Sequence, residues 1–231
     1  MNNYSIIIPV YNEDENIKIL VNDILKFNKN NFEIIVVDDC SNIQIKKNIF
    51  NNNNDINVIR HETNSGQSAS IYTGVLNAKY NNIITMDGDN QNDPRDISLF
   101  LDKFKENNSD LIQGIRINRK DNINKKIASK VANYIRSLIL NDNCLDSACG
   151  FRFFKKDKFL KITYFDHMHR FLPYLFQRYN FKTENINVNH RNRYHGRSKY
   201  NNLFRFFAGL LDLFGVIWIT RRRYKGKYEF K

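Results

Sequence analysis

The residues best suited to chemistry stand at the end of an apolar run. Ile83-Ile84-Thr85-Met86 is followed at once by Asp87-Gly88-Asp89-Asn90-Gln91-Asn92-Asp93-Pro94. A strand ending this way presents two carboxylates, at i and i+2, to a ligand. Hard divalent cations take oxygen ligands, so Asp87, Asp89 and the Gln91 amide oxygen form a candidate Mg2+ or Mn2+ site, and a cation held there binds a diphosphate. Gly88 lets another backbone approach closely, and Pro94 suits the first turn of a helix over 96–107. Turns rich in Asp, Asn and Gly also arise simply to close loops. The corner therefore takes its meaning from the elements that position it.

Short β-rich runs at 4–9, 32–38, 56–61, 82–87 and 110–116 alternate with helical spacing at 15–27, 66–80 and 94–107. Several of the runs are apolar on both faces, the pattern of strands buried between helix layers. The alternation predicts βαβ units: an α/β fold with a mostly parallel, Rossmann-like central sheet and helices on both faces. Ligands of such sheets bind at the carboxyl ends of the strands, so residues 11–13, Asp38-Asp39, 64–67 and 87–91 should converge on one edge.

Downstream, 123–140 reads as a basic amphipathic helix, 146–154 as a loop entering a strand, 169–179 as helix, 182–189 as strand and 191–199 as a polar basic loop. The apolar stretch 203–220 has 18 residues, a marginal length for a membrane span. Arg205 and Asp212 stand seven apart, and Asn201, Ala208 and Gly215 extend the same polar or small stripe. That pattern predicts an amphipathic helix lying in an interface. Arg221-Arg222-Arg223, Lys225 and Lys227 follow, a basic cluster suited to an anionic membrane surface. The domain reading is 1–200 for the main domain, with a donor half at 1–115 and an acceptor half at 116–200, then 201–231 as interfacial helix and basic tail.

The chain has 231 residues, 42% of them hydrophobic, enough for one domain with a sizeable core. Three cysteines without a Cys-x-x-Cys pair argue against a disulfide framework or a zinc site. The N-terminus enters a strand pattern and shows no basic-then-apolar leader; with the reducing setting that the cysteines suggest and the basic flank of the apolar helix, the expectation is a cytoplasmic protein, peripheral on the inner face of the membrane. The net charge of +12 is unevenly spread: Met1 to Phe151 carries 17 Lys/Arg against 19 Asp/Glu, and the remainder 19 against 5. Nucleic acid, an anionic membrane or a polyanionic substrate would each suit such a basic last third. His167 and His169, two apart with no further ligand nearby in sequence, read as structural.

Six segments occur in a familiar order: Pro9-Val10-Tyr11-Asn12-Glu13, Val37-Asp38-Asp39-Cys40-Ser41, Asn64-Ser65-Gly66, Met86-Asp87-Gly88-Asp89-Asn90-Gln91, residues 146–152, and Arg193-Tyr194-His195-Gly196-Arg197-Ser198-Lys199-Tyr200. Together they resemble family 2 glycosyltransferases of the polyprenyl-phosphate type, the dolichyl-phosphate mannosyltransferase group, over Ser5 to about Arg222. The resemblance implies a GT-A fold and inverting, Mg2+- or Mn2+-dependent transfer of a hexose, mannose or glucose. The donor would be a GDP- or UDP-sugar and the acceptor dolichyl or undecaprenyl phosphate. By position, Pro9, Tyr11, Glu13, Asp38 and Asp39 would serve the donor pocket, Asp38 by supporting its loop. Asp87, Asp89 and Gln91 match the metal triplet, with Asp87 also facing the donor and Asp89 catalytic. Arg116, Arg119, Lys126 and Ser129 would hold the acceptor phosphate, Arg116 and Arg119 acting in catalysis, while Arg193 and Lys199 grip the donor diphosphate. A phosphate acceptor is already ionised near neutral pH, so no strong general base is needed and Asp146 reads as structural. Two other readings stand beside this one. One is a transferase acting on a saccharide or lipid hydroxyl, which would need a base. The other is a nucleic-acid-binding module, disfavoured because the basic residues adjoin an apolar helix rather than exposed aromatics on a sheet.

Overall fold

The computed structural model describes residues 3–28, 31–117, 136–142, 144–192 and 202–222. In chain order they form β1 (Tyr4–Val10), α1 (Asp14–Phe27), β2 (Phe32–Asp38), β3 (Ile56–Arg60), α2 (Gly66–Asn77), β4 (Asn82–Thr85), α3 (Ile97–Asn107), β5 (Leu111–Arg116), β6 (Arg152–Lys155), α4 (Lys156–Phe159), α5 (Leu172–Arg178), β7 (Thr183–Val188) and α6 (Asn202–Arg221). Contacts divide the chain into two compact units, Met1–Arg197 and Ser198–Lys231.

The first unit is built on a seven-stranded sheet of order β3-β2-β1-β4-β6-β5-β7. Only β6 runs against its neighbours β4 and β5; the other pairings are parallel. Six carboxyl ends and the amino end of β6 therefore share one edge, marked by Val10, Asp38, Arg60, Thr85, Arg116, Val188 and Arg152.

Ile17, Leu20, Val21 and Ile24 of α1, spaced i, i+3, i+4 and i+7, bury one helix face against Ile6, Ile8, Ile34 and Val36, and Ile97 and Phe100 of α3 join the same core. Each fully buried Ile or Val contributes about 1.5–3 kcal/mol. On the opposite face α2 lies so close to β1 that a Cβ on Gly74 would overlap Ile7. Both sheet faces are thus covered, as the continuous Ile/Val runs predict.

Strand β4 ends at Thr85, two residues before the expected limit, because the Asp87 N–H turns to the Asn92 side-chain oxygen (2.8 Å). Helix α2 stops at Asn77 rather than 80: Ala78 is extended, and the next amides bond Glu33 Oε1 (2.6 Å, from Lys79) and Ser5 Oγ (3.2 Å, from Tyr80). Of the helix expected over 123–140, only residues 136–140 are described, and they are helical.

In the second unit, α6 occupies the predicted apolar stretch. Among the described residues no helix is long and apolar enough to cross a membrane. Of the stripe expected through Asp212, Gly215 is exposed. Asp212 is half-buried, while Leu211, Phe214 and Trp218, spaced i, i+3 and i+7, are exposed at 73%, 67% and 59%. Asn201 and the side chains of Arg205 and Ala208 lie outside the described part.

Candidate active site

The loop after β1 and the loop after β2 are tied together. Asn12, in the left-handed region at φ 55°, donates its N–H to Ser41 Oγ (2.9 Å) and accepts the Asn42 N–H on Oδ1 (2.7 Å). This presents Tyr11, 42% exposed, and Glu13, whose Oε2 accepts Asn16 Nδ2 (2.6 Å). Pro9 lies just beneath, its carbonyl 3.1 Å from where a Cβ on Gly88 would stand, a close approach that a glycine eases. Asp39 closes the far side. Its Oδ1 accepts the Ser65 N–H (2.8 Å) and meets His61 Nδ1 (2.8 Å), and its Oδ2 accepts the Gly66 N–H (2.8 Å). A carboxylate at the amino end of α2 is favoured by the helix dipole and by the free amides there.

Asp38 lies beneath this pocket, in the loop that it was expected to support. Its carboxylate is fully buried and engaged by the Ser41 N–H (2.9 Å), the Ile45 N–H (3.2 Å) and Arg60 Nη1, so it organises the loop and presents no face to a ligand. Burial would raise its pKa, but the bonds from Ser41, Ile45 and Arg60 prevail and hold it below the usual carboxylate range.

At the end of β4 the Asp87 carboxylate accepts Gln67 Nε2 on Oδ1 (2.9 Å). A Cβ on Gly150 would overlap that carboxylate, so the loop before β6 is seated directly on it. Burial raises the Asp87 pKa, and the charges of Arg152 and Arg116 oppose the shift. Asp89 Oδ1 accepts the Gln91 N–H (3.2 Å). The Gln91 amide nitrogen is turned to His190 Nε2 (3.3 Å) and the Arg191 carbonyl (3.5 Å), which sets its oxygen on the other side of the amide group. Among the described residues no three His, Cys, Asp or Glu side chains gather as a metal cluster. The candidate set is instead two acids and an amide. An all-oxygen set of this kind suits Mg2+ or Mn2+, and a buried carboxylate with a raised pKa is a group whose ionised form a cation stabilises.

On the β5 side, Arg116 and Asp146 form a two-pronged pair, Nε to Oδ2 and Nη2 to Oδ1, both 2.8 Å, with the Arg116 N–H also donating to Oδ2 (3.2 Å). Burial lowers the arginine pKa, but the paired Asp146 outweighs it and the net shift is upward. Arg116, assigned to the acceptor phosphate, thus has half of its guanidinium committed within the protein. The loop carrying Asp146 is held by Gln113, whose Nε2 donates to the carbonyls of Gly114, Asp146 and Cys149, each at 3.0 Å. Cys149 is small and buried as expected, and burial pushes its thiol up to about 12.

The structure therefore brings Pro9, Tyr11, Glu13, Asp39, Asp87, Asp89, Gln91 and Arg116 to one sheet edge. Arg119, Lys126, Ser129, Arg193 and Lys199 lie outside the described residues. Gln67 falls in the 64–67 segment expected at this edge and Gly150 and Arg152 in the 146–152 segment, but no role was assigned to them or to Gln113. Their contacts around Asp87 span 20 to 65 positions and come from the sheet order.

A mixed sheet of this order, with acids at the ends of β1, β2 and β4 and a paired arginine at the end of β5, defines a GT-A type α/β nucleotide-sugar fold. The family model described as glycosyl transferase family 2 matches residues 5–163, and the chain belongs to that family. Among curated relatives, dodecaprenyl-phosphate galacturonate synthase of Rhizobium johnstonii is 30% identical over 236 residues, 98% of this chain and 70% of the relative. Undecaprenyl-phosphate 4-deoxy-4-formamido-L-arabinose transferase of Pectobacterium atrosepticum is 30% identical over 207 residues, 86% of this chain and 63% of the relative. The chain thus spans roughly two thirds of the length of these polyprenyl-phosphate glycosyltransferases. Among solved structures, glucosyl-3-phosphoglycerate synthase from Mycobacterium tuberculosis with Mn2+, UDP and phosphoglyceric acid superposes with a TM-score of 0.72 at 12% identity, covering 97% of this chain and 80% of that one. TarS of S. aureus with UDP-GlcNAc gives 0.64 at 18% identity, covering 98% and 68%. These two likenesses concern the fold.

Proposed function

We propose that this protein is an inverting, divalent-cation-dependent glycosyltransferase that moves a sugar from a nucleoside diphosphate to a polyprenyl phosphate at a membrane surface. The observation that carries the reading is the juxtaposition on one sheet edge of the Asp87–Asp89 corner with the Arg116–Asp146 pair. One end suits a cation and diphosphate, the other an incoming anion. The relatives named above act on dodecaprenyl and undecaprenyl phosphates, which supports the acceptor class. Their sugars are galacturonate and a formamido-arabinose, so the mannose or glucose expectation widens to a glycosyl unit not limited to those hexoses. The UDP in the structural neighbours favours UDP over GDP as the nucleotide.

Tyr11, Glu13 and Asp39 line the nucleoside side, where carboxylates accept hydrogen bonds from ribose hydroxyls and base N–H groups. Asp87, Asp89 and Gln91 hold the cation, which when bound offsets the charge developing on the departing diphosphate. Gln67 and Gly150 fix the Asp87 carboxylate from two sides. Arg116, aligned by Asp146, meets the acceptor phosphate with the remainder of its guanidinium. An ionised phosphate oxygen needs no base, so Asp146 orients and does not abstract a proton.

The test is a donor panel, UDP-galacturonate, UDP-4-deoxy-4-formamido-L-arabinose, UDP-glucose and GDP-mannose, with Mn2+ and a short polyprenyl phosphate, scoring labelled lipid. Labelled lipid with one of the UDP-sugars is expected. Transfer to a saccharide or lipid hydroxyl with none to the phosphate would favour the second enzyme reading. Asp146→Asn separates the two further. Losing one prong of a charge-assisted pair raises the acceptor KM about tenfold and leaves kcat within about threefold. A collapse of kcat at unchanged acceptor KM would make Asp146 a base.

The exposed Leu211, Phe214 and Trp218 ridge, with the Arg222 guanidinium 4.4 Å from the Trp218 ring, supports peripheral attachment to an anionic bilayer. The protein is expected in a membrane fraction from which high salt or carbonate releases it, on the cytoplasmic face where nucleotide sugars are supplied. Recovery in the supernatant at every salt concentration would remove the membrane from the reading.

A further inference from the structure

Arg152 is 1% exposed, yet its hydrogen bonds go only to neutral acceptors. Its Nε donates to Gln113 Oε1 (2.6 Å) and its Nη2 to the Ser147 carbonyl (3.0 Å), while Nη1 has no hydrogen-bond partner among the described residues. A guanidinium taken out of water without a carboxylate bonded to it costs several kcal/mol, and an apolar side chain would fill the space more favourably. The charge therefore calls for a function. Its location suggests one. Arg152 pairs with Thr85 across the β4–β6 ladder, two positions before Asp87, and Thr85 Oγ1 donates to the carbonyl of Gly150 (2.7 Å), the residue seated on the Asp87 carboxylate. Among the described residues Arg152 and Asp87 form no ion pair within 4.0 Å, so the positive charge is close in the fold to the carboxylate without being paired to it. Asp146, the other acid nearby, holds Arg116 with both of its oxygens.

The corner thus sets the acids Asp87, Asp89 and Asp146 against the guanidiniums Arg116 and Arg152. A bare divalent cation entering it makes the cluster net positive, with one of the positive charges buried where screening is weak. A cation that arrives with a diphosphate brings at least two negative charges and returns the cluster to the negative side. We propose that the buried charge of Arg152 makes this corner selective for a divalent cation together with a nucleoside diphosphate and weak for the bare cation. The inference rests on the cation-and-nucleotide reading above and gives Arg152 the role of a positioning residue that acts through Asp87.

The experiment titrates the full chain with Mn2+, following the free-ion signal by electron paramagnetic resonance, with and without UDP and with no acceptor or sugar present, each UDP series corrected for the Mn2+–UDP complex measured without protein. Wild type is expected to bind Mn2+ at least about tenfold more tightly with UDP than without, and Arg152→Met to bind bare Mn2+ about tenfold more tightly than wild type, the change that removing a nearby like charge gives. Arg152→Lys keeps the charge and stays near wild type. A purely structural arginine predicts the reverse sign, because loosening the Gly150 loop weakens the site. Bare Mn2+ affinity equal to or below wild type in a folded Arg152→Met, judged by circular dichroism and thermal midpoint, overturns the proposal. Should Arg152→Met not fold, equal Mn2+ affinities of wild type with and without UDP overturn it as well. Failure of wild type to bind UDP in the presence of Mn2+ overturns the nucleotide reading together with the inference. UDP binding with no tightening in the variant overturns the inference alone.

Discussion

If the proposed reaction holds, Asp89→Asn is expected to lower sugar transfer by about 10³-fold while leaving the fold intact, the loss expected when several kcal/mol of charge stabilisation at the departing diphosphate disappear. The acid stands in the turn after β4, partly exposed, and its Oδ1 accepts the local Gln91 N–H at 3.2 Å. An Asn oxygen keeps that bond, so the turn survives. What is lost is a negative charge, and the change should appear mainly in kcat and in the apparent Mn2+ requirement, with a thermal midpoint within about 2 °C of wild type, since surface substitutions usually change stability by no more than about 0.5 kcal/mol. Steady-state kinetics over a Mn2+ series, with the midpoint measured in parallel, checks both halves. Undiminished kcat in a folded Asp89→Asn would remove the corner from catalysis and with it the proposed function.

The legible part of this molecule is the part written in local pattern. Runs such as Ile6-Ile7-Ile8 and Ile34-Ile35-Val36-Val37 demand burial on both faces, and their alternation with amphipathic helices leaves a mostly parallel sheet as the simplest packing. Once the sheet is parallel, Asp39, Asp87 and Asp89 fall on one edge by topology, without any tertiary information. What the pattern does not carry is direction and register. β6 is a four-residue strand, too short for local pattern to show its direction. Its reversal puts Arg152 at the carboxyl edge, opposite Thr85 and Gln113. Likewise nothing local distinguishes Asp38 from Asp39. The two acids are consecutive on an extended chain and so point to opposite sides. One is absorbed by Arg60 and the loop amides, the other by the start of α2. For α6 the hydrophobic stretch was readable but the exposed face was not. A helix rich in Leu, Phe, Ile and Trp offers more than one apolar stripe, and Leu213 and Val216 are buried while Leu211, Phe214 and Trp218 face outward.

Gly150→Ala should be the most damaging glycine-to-alanine change among the described glycines. The added Cβ falls inside van der Waals contact with both oxygens and the carboxyl carbon of Asp87. Neither side can yield cheaply. Asp87 is fixed by Gln67 Nε2 on its carboxylate (2.9 Å) and by Asn92 Oδ1 on its N–H (2.8 Å). The Gly150 segment is fixed by Thr85 Oγ1 on its carbonyl (2.7 Å) and by Gln113 Nε2 on the preceding Cys149 carbonyl (3.0 Å). Overpacking of this kind costs about 1–3 kcal/mol, which in a domain of this size lowers the midpoint by roughly 2–12 °C. The larger consequence is functional: turning the Asp87 carboxylate aside would misplace, by about an ångström, the group proposed above to hold the cation, and such displacements cost about 10²-fold or more in rate. Gly215→Ala, where an added Cβ meets nothing within 4 Å, is the control and should keep full activity. Kinetics and Mn2+–UDP binding on the two variants side by side decide the matter. An active, tightly binding Gly150→Ala would mean that the Asp87 carboxylate has room to move, and the tight seating of the Asp146 loop on the cation corner could no longer be part of how the enzyme works.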